Sequence, residues 1–181
     1  MSMMSNLIAQ SLSTEEEKQL LTQTQAFYTS IDKMIVQDIV NLTYPALYMK
    51  SGGKEKFTQH VEAMKKHHTK NGGFTIIKST LGKPFKIVNM GDEEVVFIPR
   101  TCSLDVGDAI LNKETYAIAI RSKDKTNSWH FIDGDFFGPD PKAMFNLLTA
   151  LPKDTKLPVK KSTTEKKEDK SNKQKMHNKA Q

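Results

Sequence analysis

The hydrophobic positions of this chain change period once. From Ser13 to His68 they recur every three or four residues, and from Phe74 to Asp135 every second residue, which predicts helices followed by antiparallel strands. Ser13 with Glu16 fits a capping box, and Glu15, Glu16 and Glu17 put negative charge at the start of a helix, where its dipole favours it. Leu20, Leu21, Thr24, Phe27, Tyr28 and Ile31 then form one stripe. A break near Ser30 to Asp32 is expected, with Asp32 capping a shorter helix that carries Ile35, Val36, Ile39, Val40 and Leu42 and ends at Pro45. The apolar segment Tyr44 to Met49 is stopped by Ser51-Gly52-Gly53. A third helix is predicted from Lys54 to His68, with Phe57, Val61, Met64 and His68 on one face.

Turn residues divide the remainder into strands: FTIIKSTL, PFKIVNM after Gly82-Lys83-Pro84, and EVVFIPRTCSL after Gly91-Asp92. Pro99 inside the last of these predicts a bulge or bend. In Thr115 to Asp135 the alternation is most regular. Tyr116, Ile118 and Ile120 share one face of a strand, and after a polar turn Trp129, Phe131 and Asp133 share one face of the next. Asp140 and Pro141 open a short helix with Met144, Phe145, Leu147, Leu148 and Leu151.

Composition changes this picture mainly at the C-terminus. The formal charge of +6 arises from residues 152–181, where ten lysines face four acids, while residues 1–151 are neutral. That segment has no aromatic residue and few aliphatic ones, which predicts a disordered, solvating tail. Without aromatic residues to stack on bases, nucleic acid is not an expected partner. The division expected is a flexible N-terminus at 1–12, one α+β domain at 13–151 and the Lys-rich tail at 152–181. A single cysteine, Cys102, and an N-terminus without signal-peptide or membrane-span character predict a soluble, cytoplasmic protein.

The order of these pieces resembles the nuclear transport factor 2-like superfamily, which includes SnoaL-like and ketosteroid isomerase-like proteins, and is most similar to small bacterial members known by fold alone. The resemblance covers about residues 14–135. It rests on Phe27-Tyr28, on Tyr44-Pro45, on GGKEKF opening the third helix, on GKPFKIV before VVFIP, and on the closing SWHFIDG. It implies an antiparallel sheet curved as a cone around a long N-terminal helix, with two further helices before the sheet. It also implies an apolar pocket at the open end and frequent homodimers through the outer sheet face. The pocket residues implied are Phe27, Tyr28, Tyr44, Tyr48, Phe97, Tyr116, Trp129, Phe131 and Asp133.

Isomerases of this superfamily carry their base between the second and third helices, and the corresponding Tyr44 to Gly53 holds no Asp, Glu or His. Asp133, on the face of Trp129 and Phe131, is the remaining acid-base candidate, with Tyr28 or Tyr48 beside it. Turn preferences favour the other role, in which it ends the strand in a turn with Gly134 and Asp135. His60, His67 and His68 lack the further ligands of a metal site. No phosphate loop, nucleophile elbow or zinc spacing is present, so neither metal nor cofactor is expected. The expectation is a non-catalytic domain, homodimeric, binding a small apolar molecule or a partner peptide in its pocket. The alternative is an isomerase, dehydratase or cyclase acting by acid-base chemistry.

Overall fold

The structure, a computed structural model, describes residues 11–70, 73–124, 128–138 and 140–167. Helices α1 (Thr14–Asp32), α2 (Val36–Leu42), α3 (Pro45–Lys50) and α4 (Lys54–Lys70) precede strands β1 (Thr75–Leu81), β2 (Val88–Met90), β3 (Glu93–Asp105), β4 (Ala109–Ser122) and β5 (His130–Asp133). A 3₁₀ turn (Gly134–Phe137), α5 (Lys142–Leu147) and β6 (Lys161–Lys166) follow. The result is an α+β fold with one open, antiparallel, six-stranded sheet. β3 and β4 form its spine, with β1 and β2 following each other along the free side of β3. β5 and β6 do the same along β4.

The spine is buried on both faces, since Val95 to Ile98 and Tyr116 to Ile120 are all inaccessible. Alternation sends Val96, Ile98, Ala117 and Ala119 to one side, where they join Leu20, Phe27 and Tyr28 of α1 with Trp129 and Phe131. Val95, Phe97, Tyr116, Ile118 and Ile120 face the other side and join Met144, Leu148 and Leu151. The face opposite α1 is therefore covered around Phe97 and Ile118 by the chain's own C-terminal segment. Ile77 and Leu81 do not extend an apolar face there: a register shift between Ile76 and Lys78 leaves Ile77 exposed, and Leu81 packs on the α1 side.

Pro99 does not interrupt β3, whose pairing with β4 runs unbroken from Glu93 to Asp105. Its carbonyl accepts from Gly82 N at 2.7 Å, so its backbone faces β1 and the missing N–H removes no β3–β4 bond. The capping box forms as expected, with Ser13 N donating to Glu16 and Glu16 N donating to Ser13 Oγ. Asp32 caps nothing. It accepts instead from Arg100 at 3.2 Å, and Ile35 stands at the N-cap of α2 without a side-chain bond.

Two expectations need correction. Three helices, not two, follow α1 before the sheet, because Pro45 opens α3 at its first turn, where a fixed φ and a missing N–H cost nothing. The tail boundary at 152 also falls too early. Leu157 packs against the core, and β6 pairs with Ala109–Glu114 of β4 although all six of its side chains are exposed. Backbone pairing, to which composition is blind, holds it there. Residues 168–181 and 1–10 lie outside the described residues. No helix among the described residues is long and apolar enough to cross a membrane.

Two measurements follow from this packing. A chain ending at Lys153 loses Leu157 and β6, so it should melt more than about 5 °C below one ending at Lys167. The scale is roughly 1–2 kcal/mol for one partly buried leucine plus about 1 kcal/mol or more for the lost strand pairing, at about 2–4 °C per kcal/mol; equal melting temperatures would refute the docking of this segment. Trp129 is 3% exposed beneath the Arg121 guanidinium, 4.5 Å from its ring centroid. Its fluorescence should be blue-shifted and resistant to iodide, and Trp129→Ala should cost about 3–5 kcal/mol in denaturant unfolding.

Candidate functional site

A cavity of about 390 Å³ lies where the C-terminal half of α1 meets α2, α3, α4 and the end of β5. Phe27, Ile31 and Met34 wall it from α1 and the turn after it, and Ile39 and Leu47 from α2 and α3. Phe57, His60, Val61 and Met64 contribute from α4. Phe131, Asp133, Asp135 and Phe136 close it from the sheet side. Thr43 ties α2 to this wall: it bridges Phe131 in parallel, and Tyr44 N donates to Phe131 O at 2.9 Å. Larger grooves elsewhere are more open to solvent. One of them, lined by His60, His67, His68 and Phe74, adjoins the cavity.

Behind the carboxylate wall is a half-buried polar cluster around the buried Arg100. Arg100 projects from β3 on the α1 face, stacks over the Tyr28 ring at 3.8 Å, and donates to Ser79 Oγ at 3.0 Å and to Asp32. Asp135 accepts from Thr115 Oγ1 at 2.9 Å and pairs with Lys113. Asp133 Oδ1 accepts from Asp135 N at 3.0 Å, the turn role expected of it. Burial pushes the Asp133 carboxyl up to about 6 against the hydrogen bond from Asp135 N, which lowers it; the charge of Asp135 adds to the rise, and Arg100 and Lys113 oppose it. Burial likewise raises Asp32, which Arg100 opposes, and raises the Tyr28 phenol, to which the charge of Asp133 adds. The Tyr28 hydroxyl is buried without a hydrogen-bond partner among the described residues.

Of the nine expected pocket residues, Phe27, Phe131 and Asp133 line the cavity together. The others are corrections. Tyr28 is core, behind the cavity wall and under Arg100. Trp129 is core on the same sheet face, its backbone N donating to Gln23. Phe97 and Tyr116 pack edge to face, 5.8 Å apart, on the opposite face of the sheet. Tyr44 donates its hydroxyl to Glu93 at 2.7 Å, and Tyr48 packs its ring against Phe57 at 6.2 Å. Asp133 therefore has neither Tyr28 nor Tyr48 as a hydrogen-bonded acid-base partner.

Sequence reasoning missed the α4 wall and Arg100. Arg100 carried a readable signal, since it shares its strand face with Val96 and Ile98 and a cation there requires a buried partner. Among the described residues no group of three His, Cys, Asp or Glu side chains could hold a metal ion.

Asp133 yields a pH-dependent expectation. Its folded pKa lies above the unfolded value near 3.8, so the folded chain holds this proton more tightly. The corresponding stability is full below pH 4 and is lost as pH rises through 6. Asp133→Asn keeps an acceptor for Asp135 N and removes the charge. It should stabilise the protein at pH 7.5 by roughly 2–3 kcal/mol, at about 1.4 kcal/mol per unit, with no gain at pH 4. Denaturant unfolding at both values tests this, and a loss of stability at pH 7.5 would contradict it. Comparison of the chain with protein-family models, with curated proteins and with solved structures finds no match in any of the three.

Proposed function

We propose that this chain is a nuclear transport factor 2-like domain, its sheet curling as a cone about α1, that binds a small apolar molecule in the cavity between α1, α4 and β5 without transforming it. The observation that carries this reading is the wall itself: four phenylalanines, two methionines and five aliphatic residues against few polar groups. A volume of about 390 Å³ is at the lower end of ligand pockets. A peptide segment would need a longer groove.

A second reading, acid-base catalysis, has one observation in its favour. Asp133 stands in the wall with a pKa pushed to about 6, a value suited to proton exchange near neutrality. Against it, Asp133 has no hydrogen-bonded catalytic partner, and proton transfer between two substrate atoms by one carboxylate would still need a group to hold the developing charge.

Calorimetric titration with 2-phenylethanol tests the binding reading. Val61 is buried and lines the cavity, so Val61→Trp should place an indole in the ligand's space and weaken binding at least tenfold. Undiminished binding by that variant would put the ligand elsewhere.

A further inference from the structure

We propose that the molecule this cavity takes is a protonated hydrophobic amine, its ammonium set against the Asp133 carboxylate and its apolar body among the rings of Phe27, Phe57, Phe131 and Phe136. The inference rests on the binding reading above and adds the chemical class of the ligand.

Charge accounting within the site leads to it. Asp32, Asp133 and Asp135 share the sheet end with three cations, Arg100, Lys113 and Lys160, the last donating to the Gly134 and Gly138 carbonyls rather than to a carboxylate. Arg100 is committed to Asp32 and Lys113 to Asp135. Among the described residues Asp133 has no ion pair, and its one hydrogen bond there comes from a backbone N–H. Neither Arg100 nor Lys113 lines the cavity, whereas Asp133 and Asp135 both do. The cavity wall thus carries two carboxylates, and one of them has no ion-pair partner among the described residues.

A half-buried carboxylate in this position favours a ligand that supplies the missing charge, because the pair forms in a medium poorer than water at screening it. The aromatic rings in the wall reinforce the choice, since the faces of such rings attract an alkylammonium. An anionic ligand would meet two carboxylates and no lining Lys or Arg. His60 enters the wall from α4.

The test compares three ligands of matched size, 2-phenylethylamine, 2-phenylethanol and phenylacetate, by calorimetry on the full chain at pH 7.5. The amine should bind at least tenfold more tightly than the alcohol, with phenylacetate weakest. In Asp133→Asn the amine and alcohol should fall within about threefold of each other. If the alcohol equals or exceeds the amine in the unmodified chain, the amine assignment is overturned while the binding reading stands. An amine preference that survives in Asp133→Asn overturns the role of that carboxylate. Binding of none of the three overturns both readings. The comparison on the unmodified chain does not depend on the folding of the variant.

Discussion

Helix α1 is held on the sheet at both ends by an arginine from the same sheet face. At its first turn Glu16 accepts from Arg121 at 3.1 Å, and at its last residue Asp32 accepts from Arg100 at 3.2 Å. The two acids are separated by roughly 24 Å of helix at 1.5 Å per residue, so the pairs fix where α1 lies along the sheet and how it is rotated. Each arginine also lies over a ring, Arg121 on Trp129 and Arg100 on Tyr28. Arg100 is 6% exposed. Removing one partner of so buried a pair strands the other charge, which is costly, and sliding the helix by one turn would break both pairs together. The position of Phe27 and Ile31, and with them one wall of the cavity, follows from this clamp.

The second constraint is that β3 and β4 are apolar on both faces at once. An antiparallel sheet commonly leaves one face to water, but the consecutive buried runs at Val95 to Ile98 and Tyr116 to Ile120 do not permit it. One layer is α1. The other combines Val40, Leu47 and Phe57 of α2, α3 and α4 with Met144, Leu148, Leu151 and Leu157 after β5, which is why the segment after β5 belongs to the domain.

Much of this architecture was legible in the sequence, and the misreadings have physical causes. The capping box, the stripe of α1 and the alternation of β4 and β5 depend on neighbours in sequence, and each stands where the pattern put it. Which face of β4 meets which face of β5 depends on register instead. Tyr116 alternates with Ala117, and Ala117 stands opposite Asp133. Tyr116 and Phe97 therefore point away from Asp133, although each strand's own periodicity was read correctly. Arg100 was overlooked because a strand cation is ordinarily a surface group; only its place between Ile98 and Cys102, both buried, distinguishes it. The α4 wall was invisible for another reason. Phe57 and Val61 read as an ordinary packing stripe, and no local signal tells a stripe that fills a core from one that stops short and leaves a cavity.

Asp133 was read either as a turn residue or as a functional acid, and the structure removes the opposition between them. Its Oδ1 caps Asp135 N, which fixes the carboxylate's direction. The next residue must be glycine, because a Cβ at Gly134 would lie 2.7 Å from the Tyr116 carbonyl oxygen. The strand end is thus pinned from both sides: the turn on one, the close approach of β4 on the other. A carboxylate on a looser strand end would swing into water and keep an ordinary pKa. Held by this turn it stays in the cavity wall, where burial raises its pKa by more than the turn's own hydrogen bond lowers it, so the feature that makes it structural also keeps it in the place that makes it chemically unusual.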